Sequence, residues 1–195
     1  MTEVKSILTR QRLDLLKKVL PVNLGCGSNP IDGFINIDIN PDFKPDHVIN
    51  LGVDLLPFED ETIEEIWCCH TLEHIQKVKH EQLIIEIQRV LIKGGQVTFS
   101  YPEFLKCVSN WTCNFQGRKD LWEATIFGRQ TTNWDLHVCA MHTEDFIPFV
   151  QNLGLKYIIH LEESKEENYN TLIQFFKSRN LESRETVLRK EIFDV

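Results

Sequence analysis

Three features of the 195-residue chain predict an α/β fold. Residues 21–38 read as a short apolar strand, a glycine turn and a second strand that ends on Asp38. Residues 65–69 and 96–101 are apolar runs of buried-strand length, and between them Leu83, Ile84, Ile87, Val90 and Leu91 recur at helical spacing. That is a strand, helix, strand unit. Residues 155–161 and 171–177 are two further strands joined by the polar loop 162–170, and a loop without a helix implies an antiparallel hairpin.

The remaining elements follow in chain order. Residues 5–20 carry Ile7, Leu8, Leu13, Leu15, Leu16, Val19 and Leu20 among basic residues, the pattern of an amphipathic helix. Residues 47–50 form a short third strand. Gly94 and Gly95 supply a left-handed stop for the helix after residue 80. Residues 103–142 scatter Trp111, Phe115, Trp122, Phe127 and Trp134 without a clean period, and read as an insertion or lid over a site within a single domain spanning 1–195. Thr143 is placed as the N-cap of a helix through about Leu153, ended by Gly154. Residues 181–195 are charged and read as a terminal helix or frayed tail.

Composition narrows the function classes. A net charge of -8, from 21 basic and 29 acidic residues, argues against nucleic acid, whose phosphates call for a basic stripe. No apolar run reaches the ~20 residues of a membrane span. The sequence shows no apolar export segment, and Cys26, Cys68 and Cys69 sit in or beside apparent core strands, so the six cysteines are expected as reduced thiols in a cytoplasmic protein.

Gly25 and Gly27 allow a sharp backbone turn and a close approach to a ligand, and an acid at the next strand tip can accept bonds from two ribose hydroxyls. The dinucleotide fingerprint fails, because Pro30 stands at the third glycine position and only a turn or two of helix fits before Asp38. Without a full helix the pyrophosphate loses its dipole partner. A ligand with ribose but no phosphate suits the site better, and S-adenosylmethionine is one. Residues 24–27 (L-G-C-G), 33–38 (G-F-x-N-x-D), 56–58 (L-P-F), 70–74 (H-x-L-E-H) and 89–95 (R-V-L-x-x-G-G) together resemble the class I S-adenosylmethionine-dependent methyltransferases of the small single-domain type. The resemblance implies a doubly wound, mostly parallel seven-stranded sheet of order 3-2-1-4-5-7-6 with a terminal antiparallel hairpin and a short first crossover helix. It also implies cofactor contacts from Gly25, Cys26, Gly27, Asp38, Ile39 and His70, with Asn50 and Leu51 where the family has Asp-Leu facing the adenine.

Candidate chemistry clusters after the fourth and fifth strands. His70, Glu73 and His74 also match the H-x-x-E-H signature of inverted zinc peptidases, but that chemistry needs a helix and a third ligand. The motif follows a strand directly, so no metal is expected, and a zinc hydrolase stays a remote alternative. His74, His137 and His142 are candidate bases, and Tyr101, Glu103 and Arg129 candidate acceptor contacts, because loops at this sheet edge carry specificity. The reading is methyl transfer by in-line displacement to a small-molecule or glycan acceptor. A non-catalytic S-adenosylmethionine-binding scaffold is the alternative from another class.

Overall fold

The structure is a computed structural model that describes residues 21–163 and 169–178. The helix expected over residues 5–20 and the tail expected over 181–195 lie outside the described residues. One seven-stranded sheet runs in the order β3-β2-β1-β4-β5-β7-β6. Strands β1 (Val22–Leu24), β2 (Ile35–Asp38), β3 (His47–Val48), β4 (Ile63–Cys69) and β5 (Leu91–Pro102) are parallel. Strand β7 (Asn170–Lys177) pairs antiparallel with both β5 and β6 (Leu155–Glu163). The order and the closing hairpin are those the sequence implies. Among the described residues four α-helices accompany the strands: α1 (His80–Val90), α2 (Phe104–Thr112), α3 (Lys119–Phe127) and α4 (Thr143–Asn152).

The central strands read as nearly continuous apolar runs because helices and loops cover both faces of the sheet. Val22, Leu24, Ile37, Ile66, Val97 and Phe99 are fully buried, and Leu83, Ile84, Ile87 and Val90 bring the apolar stripe of α1 onto them. The first crossover contains turns rather than the expected short helix. Asn36 takes over the organising task. Its side chain accepts from Ile31 N (2.8 Å) and Asn23 Nδ2 (3.0 Å) and donates to Ile31 O (3.1 Å), so the N of the G-F-x-N-x-D block holds the loop together.

Arg89 explains two other blocks at once. Its guanidinium donates to both Glu86 oxygens (2.9 and 2.8 Å), to Leu56 O (3.1 Å), to Phe58 O (2.8 Å) and to Asp60 Oδ1 (2.8 Å). The L-P-F loop is thereby tied to the last turn of α1. These bonds hold the Glu86 carboxyl below its ordinary range, despite its burial.

Two expectations need correction. Helix α1 does not end on a left-handed glycine: Leu91, at its C-cap, is already extended and begins β5. Gly94 has φ +88° inside that strand, and the register with β4 shifts between Ile63 and Glu65, so the glycine pair serves a strand irregularity. Residues 103–142 contain two helices, α2 and α3, with Trp122 wholly buried, donating to Phe115 O (3.0 Å) and packing edge-on to Tyr169. Apolar contacts to elements far away in sequence, rather than a regular stripe, set the spacing there. At α4, His142 occupies the N-cap and Thr143 the first helical position, and the Thr143 N–H donates to the Glu103 carboxylate (2.9 Å).

Candidate active site

The turn after β1 and the tip of β2 are locked together. Gly25 N and Cys26 N both donate to Ile37 O (2.8 and 3.0 Å), and Gly27 N donates to Asp38 Oδ2 (2.8 Å). The other Asp38 oxygen accepts from Asn40 N (2.8 Å), so the carboxylate is fixed in direction while only 8% exposed. Gly25 (φ +72°) could carry no side chain, because a Cβ there would run into the Thr71 side chain. Thr71 donates to Leu24 O (3.0 Å) and sits between the two loops. Gly27 (φ +52°) differs: a Cβ there would meet nothing within 4 Å. A backbone turn that faces open space beside an aimed carboxylate suits a ribose-bearing ligand, and the residues present fit the implied cofactor.

Further along the same edge, β4 ends at Cys69 and His70 takes a left-handed conformation (φ 50°). Residues Leu72–His74 form one 3-10 turn, and α1 begins only at His80. His70 and His74 therefore do not share a helical face, as the inverted zinc peptidase arrangement requires. Glu73 and His74 lie in this 3-10 turn, ahead of α1. His80 braces the turn from below, with Nε2 against Leu72 O (3.1 Å) and Ile75 O (3.0 Å), and burial pushes its imidazole below the ordinary value of 6.5.

Two segments distant in sequence add to this edge of the sheet. Val138 N donates to Glu73 O (2.8 Å), and Gly128 bridges to Leu136, bringing His137 against His74 with ring centroids 4.8 Å apart. Burial lowers the His137 pKa, with the Glu73 charge opposing it. The second segment is the start of α4. His142 Nδ1 donates to Glu103 Oε1 (2.6 Å), and Thr143 Oγ1 donates to Glu103 Oε2 (2.6 Å). Burial alone would raise the Glu103 carboxyl, but the bonds from Thr143 and His142 outweigh it and hold it below its ordinary value. The bond to Glu103 raises the His142 pKa in turn.

Residues 34–99 match a family model described as a methyltransferase domain. That match spans about a third of the chain. No curated protein sequence matches it significantly. Among solved structures it is similar to an S-adenosylmethionine-dependent methyltransferase of Methanosarcina mazei, at 16% identity and a TM-score of 0.60, covering 87% of this chain and 97% of that one. A Mesorhizobium loti S-adenosylmethionine-dependent methyltransferase matches at 15% identity and 0.56, covering 86% and 96%. The magnesium protoporphyrin IX methyltransferase of Synechocystis, solved with bound S-adenosylhomocysteine, matches at 13% and 0.56, covering 91% and 83%. At these identities the likeness is one of fold.

Along this edge of the sheet the expected site residues separate into groups. Gly25, Cys26, Gly27, Asp38 and Ile39 lie together at the tips of β1 and β2, and Asn50 and the buried Leu51 follow β3. Asn50 N is held by Asp54 Oδ2 (2.8 Å), and Asn50 O accepts from Val53 N and Asp54 N. Burial, helped by Asp38, raises the Cys26 thiol to about 11, so it stays protonated. Tyr101 is not an acceptor contact: its side chain is fully buried against Phe146, and its hydroxyl meets Thr143 Oγ1 (3.4 Å). Glu103 is 6% exposed, and its carboxylate accepts from His142 and Thr143. Arg129 lies exposed after α3. Sequence reasoning missed Thr71 and Gly128, whose tasks depend on partners from other segments, with no local spacing to mark them.

Proposed function

We propose that this chain transfers a methyl group from S-adenosylmethionine to a small-molecule or glycan acceptor by in-line displacement. The observation that carries the reading is the bond between Gly27 N and the Asp38 carboxylate (2.8 Å). It fixes a glycine turn and an acid side by side at the tips of β1 and β2. Crossovers diverge on either side of β1, and ligands of open α/β sheets bind at such switch points.

When bound, the cofactor supplies a methyl group made electrophilic by its sulfonium. The chain's own task is then to bind, orient and exclude water. Asp38 would receive the ribose hydroxyls, the Gly25–Gly27 backbone would leave room for the methionine portion bordered by His70, and Ile39, Asn50 and Leu51 would flank the adenine. His142 is the base for a hydroxyl acceptor. Glu103 holds the Nδ1 proton, which leaves the Nε2 lone pair to take the acceptor's proton. The test is transfer of label from methyl-labelled S-adenosylmethionine across a panel of hydroxylated and amine acceptors. A product whose labelling disappears in the Gly27→Val variant supports the reading; tight cofactor binding with no product over a broad panel favours the scaffold alternative.

A further inference from the structure

The Glu73 side chain is 3% exposed, and neither carboxylate oxygen has a hydrogen-bond partner. His70 lies beside it, with Nδ1 3.3 Å from Oε1 and its side chain 47% exposed. A buried carboxylate without donors is strongly unfavourable unless a cation compensates it. Two imidazoles are assembled around it. His74 comes from the same 3-10 turn and His137 from the segment clamped between Gly128 and Glu73, and one ligand atom from each of the three lies within 4.8 Å of the others.

Tautomers sharpen the picture. His74 Nδ1 sits 3.0 Å from Leu136 O, and His137 Nδ1 sits 2.9 Å from Thr125 O. A carbonyl only accepts, so each Nδ1 carries the proton and each Nε2 keeps a lone pair. Metal-binding histidines are oriented in this way, with the outer nitrogen donating to a backbone carbonyl.

We propose that Glu73, His74 and His137 bind one divalent transition-metal ion of the zinc class. Two imidazoles and one carboxylate suit zinc and its first-row neighbours, whereas magnesium and calcium favour oxygen alone. Bonds of about 2.0–2.1 Å put tetrahedral ligand atoms about 3.3 Å apart, so modest side-chain rotations close the set. The cation would compensate the orphaned carboxylate and keep a coordination position for an incoming oxygen ligand. The set differs from the H-x-x-E-H pattern, in which both histidines bind and the Glu is the base: here Glu73 binds, and His137 rather than His70 joins His74. The site stands independently of the methyl-transfer reading.

The experiment uses tag-free, chelator-treated protein titrated with zinc chloride, then with cobalt chloride followed by visible absorption. The expected result is one equivalent bound, a cobalt d–d band, and a zinc-dependent rise in melting temperature. Glu73→Gln and His137→Ala should each weaken zinc by more than about 100-fold, beyond the 10- to 100-fold typical of a lost supporting partner. Glu73→Gln should also raise the melting temperature of the metal-free protein, because it replaces a buried carboxylate that lacks hydrogen-bond donors at constant shape. S-adenosylhomocysteine affinity, measured on the same samples, should stay within threefold. Absence of stoichiometric zinc binding, or zinc affinity unchanged in both variants, overturns the proposal whatever happens to cofactor binding.

Discussion

Replacing Asp38 by alanine removes one acceptor from two backbone donors, Gly27 N and Asn40 N, each at 2.8 Å. The carboxylate is 8% exposed, so water does not readily replace it. Leaving a buried donor unpaired costs about 1–3 kcal/mol. With Asn40 N more buried than Gly27 N, about 2–4 kcal/mol of stability should be lost, which for a chain of this size is a melting shift of about 4–16 °C. Cofactor binding should weaken separately by about 1.5–3 kcal/mol, the worth of charge-assisted bonds to the ribose, or about 10- to 150-fold in Kd. Differential scanning calorimetry gives the first number and isothermal titration with S-adenosylhomocysteine the second, at a temperature where the variant remains folded. A melting shift with unchanged affinity would show that Asp38 only braces the glycine turn; neither effect would show that these hydrogen bonds contribute nothing.

Arg89→Met should destabilise by about 3–5 kcal/mol, because it strands the buried Glu86 carboxylate and frees the Leu56 and Phe58 carbonyls; adding Glu86→Leu should recover part of the loss in urea melts, and full additivity would refute the network. Gly128 has φ +79°, and a Cβ there would collide with the Asp135 carbonyl, so Gly128→Ala should cost about 1–3 kcal/mol by chemical denaturation; an unchanged midpoint would mean that the bridge to Leu136 is not held. The Glu103–His142 pair has a definite pH window. His142 is raised above 6.5, so its contribution is complete below that value and lost as pH rises through the raised one; Glu103 is held below 4.5, so its contribution is lost only as pH falls through the lowered one. The melting difference between wild type and His142→Gln should therefore be largest near pH 5–6 and shrink by pH 8; a difference growing with pH would contradict the pairing.

The strands were legible because apolar runs, glycine turns and an acid at a strand tip are local signals that mean the same thing wherever they occur, whereas their order followed from the family resemblance. Asn36, Arg89 and Thr71 show where legibility ends. Asn36 and Arg89 lie in recognisable blocks, yet their tasks, holding the first crossover and tying the L-P-F loop to α1, become visible only once their partners are placed. Residues 103–142 resisted reading because Trp122, Tyr169 and Phe115 satisfy one another across distant segments, so no single periodicity survives. Tyr101 looked like a site residue from its place at a strand tip, but the strand continues to Pro102 and α4 covers it. The Glu73, His74 and His137 cluster needed the Gly128 bridge, a contact that spacing alone does not announce.

Gly27 offers the most direct test of the central claim. A Cβ at this position meets no protein atom within 4 Å beyond its chain neighbours, so the main cost to the fold is the left-handed backbone (φ +52°), at about 1–2 kcal/mol. Isothermal titration of S-adenosylhomocysteine into wild type and Gly27→Val, with melting curves on both, separates strain from occlusion. The account predicts one site per chain in the wild type and no measurable binding in a folded Gly27→Val protein. A wild type that gives no heat, or a variant that binds as tightly as wild type, would contradict the placement of the cofactor in this turn.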